Sequence, residues 1–341
     1  MVRPVVRGQE RTARGITPDI VGAAVLGSCA LWALIASLGR MARPEGVLLA
    51  VLAVAAGYAC GRIAGSLLPV AATAAAALAG FGLALTTLDG LPGHEGVNTA
   101  QWTLATGAAC CAAWAARPVP LRSALWLLAV TITVTAAVGG ETAGATAAGA
   151  VLVCSFTAAR LRQRLLGLAA LALVTAVTVG GCWAVAANAV PGGLPPGLRA
   201  QLTEHRVRLW QDAARIAGEN PVRGAGPDRF TELSPTAMEA PDPRTTPHSA
   251  PLQQAAGEGV PGVVLLGAAF SWMLFALWRS PRSTPVVLTA AAVLTALAVE
   301  ACLGNALSFP QITAGAGLLA GLATASRSDD APAPSPQAAE T

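Results

Sequence analysis

The chain has 341 residues, 54% of them hydrophobic and only 12% charged, with a mean hydropathy of +0.58. Charge this sparse and apolar runs this long exclude a soluble enzyme, a nucleic-acid binder and a disordered scaffold. All 22 basic residues are arginine, and the formal net charge is +4.

A bilayer crossing takes about 20 mostly apolar residues, fewer where the ends snorkel. Runs approaching that length lie at 20–38, 46–61, 63–88, 102–116, 123–140, 142–159, 165–189, 261–278, 285–303 and 311–325. The expectation is an all-α polytopic membrane protein of about ten transmembrane helices. The first run is too long, and lacks a small-residue cleavage site, for a removed signal peptide. Simple alternation of the spans collects Arg3, Arg7, Arg11, Arg14, Arg62, Arg117, Arg122, Arg160, Arg162, Arg164, Arg279, Arg282 and Arg327 on one side. An excess of arginine marks the cytoplasmic side, so both termini are expected in the cytoplasm of a plasma-membrane protein, with Arg40 and Arg43 outside. The organisation that follows is a cytoplasmic segment over 1–19, spans over 20–189, an extracytoplasmic loop over 190–260, spans over 261–325 and a polar, Pro-rich, disordered cytoplasmic tail over 326–341.

The seven cysteines, Cys29, Cys60, Cys110, Cys111, Cys154, Cys182 and Cys302, all fall in apolar runs and read as small hydrophobes. None has metal-ligand spacing to histidine or to another cysteine, so no metal and no cofactor is expected.

The 190–260 loop holds His205, His248, seven arginines and eight acids. A polar excursion of that size is not needed to reverse a chain, so a bound ligand or a catalytic site is the expected reason for it. Its 198–218 segment reads as a helix ending before Pro221. Leu202, Leu209, Ala213 and Ile216 form an apolar stripe to lie on the ends of the spans. Arg208, Asp212, Arg215 and Glu219 follow at intervals of three or four residues, as a solvated ion-paired face would. Arg206 and Trp210 stand one turn apart, with Arg199 two turns before Arg206. A guanidinium beside an indole suits a diphosphate, the ring packing on lipid or sugar; an interfacial Trp anchor with a snorkelling Arg gives the same pattern.

Glycines 224 and 226 then mark a tight turn, with Arg223 as a further anion contact. Ser249 can cap a short helix with Pro251 in its first turn and Gly257 at its end. His248 would sit at the N-terminus of that helix, where the positive dipole end favours the neutral imidazole able to accept a proton. Elsewhere, Glu300 lies inside the ninth run and could line a polar site under the loop with Asp89 and Glu141.

In order, the loop reads Arg206-x-x-x-Trp210, Glu219-Asn-Pro-x-x-Gly224-x-Gly226-x-x-x-Phe230, His248-x-x-x-Leu252 and Glu258-Gly-x-x-Gly262 running into a span. This order resembles the signature loop of the O-antigen ligase and polymerase superfamily. The resemblance implies a membrane glycosyltransferase that moves a glycan from an undecaprenyl-diphosphate carrier to an acceptor hydroxyl on a glycan or lipid, without a metal ion. His248 then matches the general base and Arg206 the diphosphate-holding arginine, with Arg199, Arg223, Trp210 and Glu258 as further substrate contacts. The chain departs from the family in having Ser249, Ala250 and Pro251 where an Asn and an aromatic are usual. It also lacks an arginine over Gly139–Ala145, where the family carries one. A polymerase of the same superfamily, and a non-catalytic scaffold or transporter of lipid-linked glycan, are the alternatives.

Overall fold

A computed structural model of the chain describes residues 4–39, 42–86, 95–161, 163–189, 203–239 and 246–326, and the side chains among these from residue 17 onward except 95 and 96. All regular structure among them is helical. Seven long helices come first: α1 (Pro4–Ser37), α2 (Glu45–Leu67), α3 (Pro69–Thr86), α4 (Glu95–Ala115), α5 (Val119–Val138), α6 (Thr142–Ala158) and α7 (Arg164–Ala186). The loop contributes α8 (Glu204–Glu219), α9 (Phe230–Leu233) and α10 (Pro235–Met238), and the chain continues through α11 (Ala250–Arg279), α12 (Thr284–Leu303) and α13 (Pro310–Thr324).

Each of the ten apolar runs is helical over most of its described residues. Seven helices, α1 over Thr17–Ser37 and then α2, α3, α5, α7, α11 and α12, are long and apolar enough to cross a membrane. Of the other three, α6 has 17 residues and α13 has 15, while the first half of α4 carries Asn98, Thr99, Gln101 and Thr103.

Two boundaries differ from expectation. The break placed at Arg62 lies instead at Leu68, just before Pro69, where the proline disfavours a helical predecessor. Arg62 stays helical because its guanidinium meets Asp19 Oδ2 at 3.0 Å and donates to the Thr324 carbonyl at 2.8 Å. The fourth helix starts at Glu95 rather than Trp102, since its polar first turns face protein: Asn98, Thr99, Gln101 and Thr103 are all buried. A tight turn joins α5 to α6, with Gly140 N–H donating to Ala137 O and Glu141 N–H to Ala136 O, which satisfies two of the last carbonyls of α5.

Helix packing relies on small residues, as it must where lipid is as apolar as leucine. Gly57, Gly61 and Gly65 of α2 face α13, and a Cβ on Gly57 or Gly61 would run into the carbonyls of Ala314 or Leu318. From the other side, Gly317 and Gly321 would strike the carbonyls of Val54 and Tyr58. On the opposite flank α4 is the central helix, packed on α3, α5, α6 and α12. At the end of the bundle away from the loop, arginines close helix ends. Arg164 donates to the carbonyls of Trp278, Ser280 and Arg282, and Arg282 to that of Gly65.

Of the cysteines, Cys29, Cys110, Cys111, Cys182 and Cys302 are buried, Cys154 is half-buried and Cys60 is exposed; all are free thiols.

Candidate functional site

The loop sits on one end of the bundle through α8. Thr203 caps it, its hydroxyl accepting from Arg206 N–H. Leu209, Ala213 and Ile216 are buried against Cys182, Val185 and Ala186 at the end of α7 and Cys302 at the end of α12, so the expected stripe lies where the periodicity placed it. Leu202, Arg199 and the rest of 190–202 lie outside the described residues, as do Arg40 and Asp89. On the solvent side Arg208 pairs with Glu204 and Arg215 with Glu219. Asp212 leaves the expected charged ladder: its Oδ2 accepts from Ser234 Oγ at 2.6 Å and Thr236 N–H at 3.1 Å, which ties the start of α10 to α8.

The two later motif blocks form one unit. Helix α11 starts at Ala250 and breaks at Gly259, which has φ 72°; the expected end at Gly257 is two residues early. Two carbonyls before the break lose their helical partners. Gly257 O would need the N–H of residue 261, which is proline, and Val260 N–H donates instead to Pro221 O at 2.8 Å. The glycine turn supplies replacements, with Ala225 N–H donating to Ala256 O at 2.8 Å and Gly226 N–H to Gly257 O at 2.9 Å. Backbone meets backbone here, so Gly224 (φ 61°) and Gly259 both need the left-handed region and a bare α-carbon. A Cβ on Gly259 would lie 2.6 Å from Pro221 O.

This unit is fastened to the end of α1. Trp32 Nε1 donates to Glu258 O at 3.0 Å, and Arg223 Nη2 donates to the carbonyls of Ile35 at 2.6 Å and Leu38 at 3.1 Å. Arg223, expected as an anion contact, is thus largely committed to the C-terminal carbonyls of a helix, whose negative end it also neutralises. Glu258 is buried, and its Oε2 lies 3.1 Å from where Gly262 would carry a Cβ. The Glu-Gly-x-x-Gly spacing therefore gives one glycine to the break and one to the carboxylate.

Trp210 faces inward. It is 1% exposed, and its Nε1 donates to Pro247 O at 2.8 Å. The expected indole platform for lipid or sugar is replaced by a positioning contact, because a buried indole N–H needs an acceptor and the residue before His248 provides one. His248 follows half-buried with φ 49°, and Ser249 takes the N-cap position of α11. Ser249 does not form the expected cap bond: its hydroxyl is buried and without a partner among the described residues, as are Thr246 Oγ1, Glu258 Oε1 and Arg223 Nε. Buried polar atoms are normally hydrogen-bonded, and here two such hydroxyls flank His248. Arg206, half-buried one turn before Trp210, makes no ion pair or side-chain hydrogen bond with the described residues.

Glu300 stands apart from the loop unit, within the bundle. Its Oε1 accepts from Thr103 Oγ1 at 2.8 Å and its buried Oε2 has no partner among the described residues, while Glu141 Oε1 accepts from Asn98 Nδ2 at 2.8 Å nearer the loop end of α4. The polar half of α4, unnoticed in a sequence read for apolar runs, is the element that receives both acids.

A comparison with curated proteins gives no match. A comparison with protein families does: residues 124–267, from the first turns of α5 through α6, α7 and the whole loop to beyond Gly262 of α11, match the family model described as O-antigen ligase. Over this segment the chain is similar to the O-antigen ligase family.

Proposed function

We propose that the chain transfers a glycan from an undecaprenyl-diphosphate carrier to an acceptor hydroxyl at the outer face of the plasma membrane. In this reading the chain crosses ten times, with 190–260 outside and both termini in the cytoplasm. His248 takes the proton of the acceptor hydroxyl as its oxygen bonds to the anomeric carbon. The bond from that carbon to the diphosphate breaks, and the lipid diphosphate leaves. Arg206, whose guanidinium is uncommitted among the described residues, neutralises the charge gathering on the phosphates. Arg199 and the remaining Nε–H of Arg223 are secondary contacts, and Glu258 and Trp210 hold the frame.

The observation that carries this reading is the arrangement around His248. The indole of Trp210, one turn from Arg206, bonds the residue before the histidine, and the hydroxyls of Thr246 and Ser249, before and after it in sequence, are buried without partners among the described residues. A non-glycine residue in the left-handed region, held by surrounding structure, is the kind of strain that gathers at functional sites. Ligase and polymerase differ in the acceptor, a separate molecule or the end of a growing chain, and both use this chemistry.

The test is the length distribution of carrier-linked glycan in cells lacking the protein and complemented with wild type, His248→Ala or Arg206→Ala. Both variants should fail to complement. Single repeat units accumulating on the carrier identify a polymerase, and finished chains a ligase. A His248→Ala profile equal to wild type removes the histidine as base and leaves the scaffold or transporter reading.

A further inference from the structure

Three aromatic rings pack in a row at the end of the bundle away from the loop. Trp114 of α4 meets Trp126 of α5 edge-on at 5.4 Å, and Trp126 stacks on Phe156 of α6 at 4.4 Å and 18°. The row is rigid at one end, since Trp114 Nε1 donates to Ser155 Oγ at 2.9 Å and Ser155 in turn bonds Thr289 at 2.8 Å. At the other end Phe156 is 53% exposed on the flank of the bundle.

Each ring has an arginine about one turn further toward the end of the bundle: Arg117 after Trp114, Arg122 before Trp126 and Arg160 after Phe156. Arg122 also lies over Trp114, 5.0 Å from the ring centroid. All three arginines are exposed, and none makes a side-chain hydrogen bond or ion pair with the described residues. Their neighbours at this end differ: Arg62, Arg164 and Arg282 are committed to Asp19 or to helix carbonyls. No acid lies near in sequence either, for Glu141, at the opposite end of α5 and α6, is the one acidic residue between Gly96 and Thr203. Helix α5 begins at this end with no side-chain cap, which adds its positive dipole end.

We propose that the α4–α5–α6 end is a binding site for an anionic phospholipid. The phosphodiester sits among Arg117, Arg122 and Arg160, and an acyl chain lies along Phe156. Three uncompensated guanidinium groups beside an aromatic surface at the membrane boundary complement that headgroup in charge and its chain in polarity. The arginine distribution makes this the cytoplasmic leaflet. The inference does not depend on the transfer reaction.

Native mass spectrometry of the full-length chain, titrated with phosphatidylglycerol or phosphatidylcholine and with inorganic phosphate as competitor, tests it. Phosphatidylglycerol should bind at least tenfold more tightly than phosphatidylcholine and resist millimolar phosphate. The preference should fall about threefold in Arg160→Gln and vanish in the Arg117→Gln, Arg122→Gln, Arg160→Gln triple variant. Should the triple variant fold poorly by circular dichroism, Arg160→Gln alone decides, since its side chain bonds nothing described. Equal binding of the two lipids, or an unchanged preference in Arg160→Gln, overturns the proposal. Displacement by phosphate overturns it too, by identifying a free anion as the ligand.

Discussion

Trp210 illustrates how much one side chain's direction decides. Its spacing from Arg206 was legible in the sequence, yet the same spacing serves an indole turned to lipid and one turned into the loop. The contact with Pro247 O settles it inward. Trp210→Phe keeps the ring volume and leaves that carbonyl unpaired, at a cost of about 1–3 kcal/mol. It should therefore weaken complementation while sparing the bundle, seen as an unchanged helical circular dichroism spectrum. Trp210→Ala opens a cavity as well, worth about 3–5 kcal/mol for a buried aromatic, and should lower the unfolding temperature measurably. Arg223 is the reverse case, a residue typed correctly as a polar contact but with helix carbonyls as its partners. Nothing local could name Ile35 and Leu38, which lie more than 180 positions away.

Among the elements, α11 and the α2–α13 pair show how glycine works in this protein. Gly259→Ala places a Cβ against Pro221 O and Val222 in a backbone region that L-residues avoid, a mismatch worth more than about 1 kcal/mol. It should lower the unfolding temperature and the yield of monodisperse protein. Gly218→Ala is the contrast: this residue lies within α8 with nothing near its missing Cβ, and alanine there should be neutral or stabilise by about 0.5–1 kcal/mol. Gly61→Leu should separate α2 from α13, detected as loss of folded protein by size-exclusion chromatography, because its Cβ would meet Leu318 O and a backbone cannot rotate aside as a side chain can. The loop motifs marked Gly259 in the sequence, and only the packing showed that Gly61 faces another segment of the chain and Gly218 does not.

For the molecule as a whole, the loop sits on one end of the helix bundle, and the arginine distribution predicts that this end is the outer one. Cysteine labelling in a Cys60→Ser background checks the sidedness, as the remaining native thiols are buried or half-buried. Glu239→Cys, exposed in the loop, should react with an impermeant maleimide on intact cells. Arg117→Cys should react only after permeabilisation. Labelling in the opposite sense would invert the topology and remove the outer-face reading of the loop.

Composition and apolar run length determined the class of protein and roughly where its apolar helices run, because burial in lipid is scored residue by residue along the chain. Motif order likewise pointed to the O-antigen ligase family, to whose model residues 124–267 are similar. The tertiary structure decided what each polar group meets: Asp212 the start of α10, Arg223 the end of α1, Glu258 the space beside Gly262, and the polar half of α4 the interior of the bundle. Those partners come from segments far apart in sequence, and the choice among them is made by geometry and by the need of every buried donor and acceptor to find a mate.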